Sequence, residues 1–184
     1  MADHAIATRK APLAGRRGGS PAAILTPAEP ASRISLRAGP DAVPALSAAL
    51  GVTIPVRSKT SASTGRRHVL RLGPDEWLVI DEDGADLMAA AASSGTVHSA
   101  VDVSHRNTAV IVSGAGAEAA INSGCPQDLS LAIFPVGACS RTIFGKAEIV
   151  LFRTAEDTFR VECWRSFSSF VFGLLAEGAE DAGH

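Results

Sequence analysis

The order of local signals in this chain is written twice, and that repetition constrains the fold more than any single motif. In the first run Ser32 to Leu36 (SRISL) alternates as a half-buried strand does, and Asp41 to Leu50 carries Val43, Leu46, Ala49 and Leu50 at helical spacing. Asp41 stands where an N-cap belongs and Gly51 where the helix should stop. Val52 to Val56 reads as a short strand and Arg57 to Arg67 as a polar loop. His68 to Leu72 and Glu76 to Ile80 then form antiparallel strands about Gly73-Pro74-Asp75. An alanine-rich helix over Ala85 to Ala92 and a strand over Thr96 to Val103 follow. The second run places strands at Thr108 to Ser113, Ser140 to Phe144, Ala147 to Phe152 and Phe159 to Cys163, with helices over Ala115 to Ser123 and from Ser166 onward. Each half reads β-α-β-β-β-α, an α+β plan. Leu36-Arg37-Ala38-Gly39 answers Val112-Ser113-Gly114-Ala115, and Glu76-Trp77-Leu78-Val79-Ile80 answers Thr158-Phe159-Arg160-Val161-Glu162.

This places one domain over residues 32–178, in halves 32–106 and 107–178, with a short tail over 179–184. Residues 1–31 are rich in Ala, Gly, Pro and Arg and show neither a helical nor a strand period, so they are expected to be a flexible arm or one that wraps a partner. In the last helix Phe167, Phe170, Val171, Leu174 and Leu175 share one face, a core stripe that gives roughly 2 kcal/mol per large side chain buried. Phe172 lies off that stripe and is expected to face solvent or a partner.

Charge excludes one class of function. A formal net charge of -2 over 184 residues offers no field to gather phosphates, so no nucleic-acid partner is expected. The local groups Arg9, Lys10, Arg16, Arg17 and Arg57, Lys59, Arg66, Arg67 sit among small polar residues and read as solvated loop charge. No stretch approaches the roughly 20 apolar residues that span a bilayer, and Arg16-Arg17 is followed only by the short run Ala22 to Leu25, less than an export signal needs. The expectation is a cytoplasmic chain with no membrane partner. Cys125, Cys139 and Cys163 are an odd set at wide spacing, expected reduced and at least partly buried.

The centre of the chain, Val101 to Leu129, concentrates the polar chemistry. Asp102, Ser104, His105, Arg106 and Asn107 stand together in a corner between two strands, which invites comparison with a Ser-His-Asp relay. Neighbouring strand residues point to opposite faces, so Ser104 and His105 should diverge, and the corner reads as a hydrogen-bonded turn in which Asp102 holds Arg106 or backbone amides. His105 alone remains a candidate acid, base or contact residue. Gly114-Ala115-Gly116-Ala117-Glu118 follows a strand and opens a helix, yet no βαβ unit surrounds it, so it reads as a turn and not a dinucleotide site. Cys125-Pro126-Gln127-Asp128 lies just past a helix C-terminus, where the dipole disfavours a thiolate. His4, His68, His98, His105 and His184 have no metal-ligand spacing. Trp77 and Trp164 are expected as core or interface anchors.

The segments Leu72 to Ile80 (LGPDEWLVI), Ala100 to Leu129 and Cys139 to Leu175 resemble the gamma-subunit family of heterotetrameric sarcosine oxidases. The resemblance covers well over half of the chain, and residues 1–31 carry no part of it. It implies duplicated ferredoxin-like units, similar to the folate-binding domain of glycine-cleavage T proteins. It also implies a bacterial complex with alpha, beta and delta subunits that oxidises sarcosine to glycine, releasing formaldehyde or passing the one-carbon unit to tetrahydrofolate, with hydrogen peroxide from oxygen. FAD, FMN and NAD would then belong to alpha and beta and zinc to delta, with no cofactor, metal or catalytic residue on this chain. The corner residues Asp102, Ser104, His105, Arg106 and Asn107, together with Asp128 and Phe172, would be structural or interface positions. Two other readings stand beside this one: a stand-alone folate-binding or one-carbon-transfer module, and the equivalent subunit of a complex acting on another N-methyl amino acid.

Overall fold

A computed structural model describes residues 11–183. Along them run β1 (Gly18–Gly19), β2 (Ile24–Pro27), β3 (Ser32–Ala38), α1 (Val43–Leu50), β4 (Ser61–Thr64), β5 (Arg67–Arg71), β6 (Glu76–Asp81), α2 (Leu87–Ala92), β7 (His98–Asp102), β8 (Asn107–Ser113), α3 (Ala117–Asn122), β9 (Cys139–Phe144), β10 (Ala147–Ala155), β11 (Thr158–Trp164) and α4 (Ser168–Asp181). A five-stranded sheet in the order β4-β5-β6-β3-β7 faces a six-stranded sheet in the order β1-β2-β8-β11-β10-β9. All pairings are antiparallel.

Strand parity sets the layers. In β6, Trp77 and Val79 pack with Leu46, Leu50 and Leu87 of α1 and α2, while Leu78 and Ile80 face the other way. In β10, Ile149 and Leu151 pack with Ile121, Val171 and Leu175 of α3 and α4, while Val150 and Phe152 join Leu78 and Ile80 between the sheets. The result is helices, sheet, sheet, helices, and it explains why Trp77-Leu78-Val79-Ile80 reads as one apolar run: both of its faces are covered. Trp77 is fully buried and its Nε1 donates to Pro55 O at 2.8 Å.

The repeat holds in register. Leu36 opposes Trp77 in the first unit and Val112 opposes Phe159 in the second, as Ser32 opposes Asp81 and Thr108 opposes Cys163. Each unit also lends a strand to the other. β2 leads into β3 but pairs with β8, where Leu25 opposes Val112; β7 leads into β8 but pairs with β3, where Ala100 opposes Leu36. Exchange of leading strands ties the two sheets together at both corners.

Several expectations from the sequence change here. Residues 11–31 are not an arm without structure: β2 lies between β1 and β8 in the larger sheet, and Leu13, Ala23 and Leu25 are buried. Arg9 and Lys10 lie outside the described residues, as do His4 and His184. Val52 and Ile54 are buried but join no ladder, because their amides donate to Ser47 of α1, to its O at 3.2 Å and to its Oγ at 3.0 Å. The expected loop 57–67 instead contains β4, which forms a hairpin with β5 across Gly65, held at φ 58°. Asp41 does not cap α1, whose N-cap is Ala42 after a 3-10 turn; Gly51 stops the helix in the left-handed region at φ 64°. On α4 the stripe is rotated: Val171, Phe172 and Leu175 are buried, whereas Phe167 and Phe170 are exposed. Phe172 faces no solvent, because it packs in the larger core beside Gly18, where a Cβ would come within 3.0 Å of its ring.

Candidate functional site

The polar corner joins β7 to β8 and crosses the equivalent corner that joins β2 to β3. Asp102 accepts a hydrogen bond from the Ser104 amide at 2.8 Å, a side-chain-closed turn. Ser104 Oγ accepts from the Arg33 amide at 2.8 Å and donates to Arg33 O at 3.3 Å, so the hydroxyl splices the corner onto β3. His105 is exposed, and it lines one recess together with Arg33 and Ser104. Arg106, also exposed, lies with its guanidinium 5.4 Å from the Trp164 ring centroid, and Asn107 opposes Trp164 as the first residue of β8. Asp128 belongs elsewhere, in the loop after α3, where the Ser130 amide at 2.9 Å holds its exposed carboxyl below the ordinary range. The structure therefore gathers Asp102 to Asn107, and leaves Asp128 and the buried Phe172 apart from them.

Behind the corner runs an ion-pair chain that links the sheets. Arg33 of β3 grips Glu162 of β11 with Nε at 2.8 Å and Nη2 at 3.0 Å, and all of these groups are buried. Arg160 Nε reaches the same Glu162 at 2.8 Å, and its Nη1 crosses to Glu82 just past β6. Glu82 in turn receives Arg66 Nε at 3.3 Å. Sequence reading placed Arg160 and Glu162 only within a strand that answers Glu76 to Ile80 and gave them no partners; the covering sheet buries them.

A second set was also missed, and here a signal exists. Arg71-x-x-Pro74-Asp75-x-Trp77-x-Val79 and Arg153-x-x-Glu156-Asp157-x-Phe159-x-Val161 match at arginine, aspartate, aromatic and valine. In both units the arginine sits over the aromatic ring opposite it, at 5.4 Å for Arg71 and Trp77 and at 4.5 Å for Arg153 and Phe159. In both it also donates to the matching turn carbonyl, Pro74 O or Glu156 O. Arg153 further holds Phe134 O at 2.9 Å, and Arg71 holds Pro55 O at 3.3 Å. The repeated arginine thus fastens the helix-to-strand loop of each unit.

What can these arrangements do chemically? Two of the amides that a nucleotide phosphate would need at Gly114-Ala115-Gly116 are already taken: Gly114 N donates to Asp157 O at 3.0 Å and Gly116 N to Ala22 O at 2.8 Å. A flavin or nicotinamide phosphate does not fit there. Burial pushes the Cys139 and Cys163 thiols up to about 12, far from a thiolate at neutral pH. The cavity between the sheets, lined by Ser35, Trp77, Glu162 and Trp164 among others, measures about 40 Å³, room for a water and not for a pterin. Among the described residues no cluster of three or more His, Cys, Asp or Glu is placed to hold a metal, and no helix is long and apolar enough to cross a membrane.

Comparison with known proteins agrees with this duplicated scaffold. The family model described as "Sarcosine oxidase, gamma subunit family" matches residues 36–181. The chain belongs to that family. The gamma subunit from Arthrobacter sp. is 32% identical over 136 residues, covering 71% of this chain and 67% of its own length. That from Corynebacterium sp. strain P-1 is 30% identical over 156 residues, covering 82% and 77%. The solved heterotetrameric sarcosine oxidase from Corynebacterium sp. U-96, in complex with pyrrole 2-carboxylate, contains a chain of TM-score 0.87 and 25% identity that covers 96% of this gamma subunit and 97% of itself. The glycine cleavage system aminomethyltransferase T from Bartonella henselae matches at TM-score 0.60 and 13% identity, over 84% of this chain and 45% of its own. The fold of this gamma subunit is therefore that of a folate-binding-like domain, and the likeness to the T protein stops at the fold.

Proposed function

We propose that this chain is a non-catalytic structural subunit of a heterotetrameric, flavin-dependent sarcosine oxidase. The observation that carries the reading is the corner itself: Asp102 and Ser104, its two groups closest to a catalytic relay, both hold backbone, one closing its own turn and the other splicing β3. The partners are alpha, beta and delta subunits; FAD, FMN, NAD and tetrahydrofolate serve the larger chains and zinc serves delta. The complex converts sarcosine, water and oxygen to glycine, formaldehyde and hydrogen peroxide, or hands the one-carbon unit to tetrahydrofolate. It works in the cytoplasm, with neither nucleic acid nor membrane as partner.

The test is co-expression with the other three chains, followed by purification through a tag on this one. Flavin absorbance and sarcosine turnover in the purified material are the expected result. Turnover of full specific activity by the other three chains alone, with this one left out, would show that it contributes nothing to the assembly. Saturable tetrahydrofolate binding by the isolated chain would move the reading to a folate module.

A further inference from the structure

We infer that the recess where the two helix-to-strand loops meet, rimmed by Arg57, Lys59, Ile133 and Val136, is a docking surface for a segment of a larger subunit that carries both carboxylates and apolar side chains. The inference rests on the reading of this chain as a subunit and names the face through which it is held.

Residues 51–60 join α1 to β4, and residues 123–138 join α3 to β9. A bridge between Thr60 and Ala138 fastens the ends of the two loops together, with the Ser61 amide donating to Gly137 O at 3.0 Å and the Cys139 amide to Lys59 O at 3.1 Å. Both loops line an open recess of about 490 Å³. The longer loop is pinned from beneath: Leu129 and Phe134 are buried in the larger core, the Phe134 ring lies 6.4 Å from that of Phe159, and Arg153 donates to Phe134 O at 2.9 Å. Leu131, Ile133 and Val136 nevertheless stand out with 46%, 64% and 51% of their surface exposed, so the loop holds them ready before any partner arrives.

The duplication supplies an internal control for what the fold requires. The first unit turns this corner within residues 51–60, buries Val52 and Ile54, and exposes one large apolar side chain, Val56. The second unit spends residues 123–138 on the same corner, buries Leu129 and Phe134, and exposes Leu131, Ile133 and Val136. Since one copy closes the corner with two inward residues and a shorter loop, packing within the chain does not explain the outward aliphatics of the other.

Charge indicates the occupant. Arg57 and Lys59 are exposed on the rim, neither is in an ion pair among the described residues, and no Asp or Glu is among the described residues that line the recess. The two loops carry a single carboxylate, that of Asp128, and it accepts from the Ser130 amide. The acids of the neighbouring β5–β6 turn are matched elsewhere, Asp75 with Arg37 and Glu76 with Arg141. Lys59 is also the only non-glycine residue with a positive φ, 59°, among the described residues. Glycine would serve that backbone with less strain, so what the lysine adds is its ammonium group on the rim. The surface is matched by a partner that brings carboxylates to the two cations and apolar side chains to Ile133 and Val136.

The experiment uses the whole complex. Ile133→Asp, Val136→Asp and the pair Arg57→Glu with Lys59→Glu are each co-expressed with the other subunits, and the dissociation constant of this chain from the remainder is read by competition with labelled wild type. Val97→Asp, at an exposed valine outside both loops, and the melting temperature of every variant serve as controls. The expected result is about 10-fold or greater weakening for each apolar variant, a similar weakening for the charge reversal that shrinks as salt is raised, and no change for Val97→Asp, all at unaltered melting temperature. Lys59→Gly is expected to weaken association while raising the melting temperature, because it removes the charge and relieves the backbone. Wild-type affinity in the recess variants, or equal weakening by Val97→Asp, overturns the inference while leaving the subunit reading intact, since association itself persists. Weakening by the apolar variants alone overturns the carboxylate-bearing occupant. Failure of the wild-type chain to associate at all sinks the subunit reading and the recess with it. A wild-type homodimer lost on Ile133→Asp overturns the inference by assigning the recess to a second copy of this chain.

Discussion

Unit one and unit two share a register residue for residue, yet the faces they turn toward each other differ in kind. The first sends Leu78 and Ile80 into the space between the sheets; the second sends Arg160 and Glu162, together with Val150 and Phe152. Toward the helices the two are alike, with Trp77 and Val79 answered by Phe159 and Val161. The helix-facing side of each sheet must bury apolar area to hold its own unit together, so both copies keep it. The inter-sheet side joins one unit to the other, and there a directed contact is available: Arg33 from the first unit and Glu162 from the second meet with two hydrogen bonds. A buried pair of this kind contributes orientation more than net stability, because desolvation offsets most of its attraction.

The comparison breaks most visibly at Glu162. Glu162→Ala leaves Arg33 and Arg160 buried without their carboxylate, and is expected to lower stability by about 3–5 kcal/mol, or about 10 °C in melting temperature. Ile80→Val, at the matching position of the first unit, should cost only about 1 kcal/mol in the same calorimetric measurement. Equal losses would mean that the inter-sheet space tolerates a stranded arginine, and the ion pair would lose its orienting role.

Next in size is the exchanged strand. Leu25→Ala in β2 removes a buried side chain opposite Val112, with an expected loss of about 2–4 kcal/mol by urea unfolding. Loss near zero would return residues 11–31 to the status of an arm. Third, Arg153→Ala is expected to cost about 2–3 kcal/mol and Arg71→Ala about 1 kcal/mol, because buried Arg153 satisfies the carbonyls of Leu129 and Phe134 in the interior as well as that of Glu156, while Arg71 is partly exposed. The reverse order would show that the ring contact, and not carbonyl satisfaction, is what the repeated arginine supplies.

The smallest effect is a pH dependence that arises where Glu76 of the first unit meets Arg141 of the second. The Arg141 guanidinium, donating to Glu76 Oε2 at 3.1 Å, holds the Glu76 carboxyl below its usual range despite partial burial. Its folded value lies beneath its unfolded one, so the stabilisation is present above about pH 4.3 and disappears as pH falls through the lower folded value. Thr158, the matching residue, does not titrate. Glu76→Gln should therefore flatten the acid limb of a stability-against-pH curve, and an unchanged limb would place the acid sensitivity elsewhere.

How much of this was legible in the residues follows from the reach of each signal. The paired β5–β6 strands about Gly73-Pro74-Asp75, the register of Leu36 with Val112, and the closing Gly51 rest on local chemistry, and they could be read directly. β4 is Ser-Ala-Ser-Thr, an edge strand without a large apolar residue, so no period betrays it. β2 has only Ile24 and Leu25 to advertise a pairing with a strand some eighty residues away. The α4 stripe was visible, but which part of it the core covers is set by β1 and the α3 packing: Gly178 lies so near α3 that a Cβ would stand 2.5 Å from Ala120 O. Among the site residues, the turn formed by Asp102 and Ser104 was legible, while the exposure of Phe167 and Phe170 was not, because exposure is decided by tertiary cover.

Turnover per assembled complex, with Asp102→Asn and Ser104→Ala introduced together in this chain, is the measurement that bears most directly on its role as a scaffold. Normalised to flavin content, kcat for sarcosine is expected to equal that of the wild-type complex, since both groups are engaged with backbone. A fall of 10-fold or more, roughly what removing a general acid or base produces, with all four chains still present in stoichiometric amount, would contradict the account.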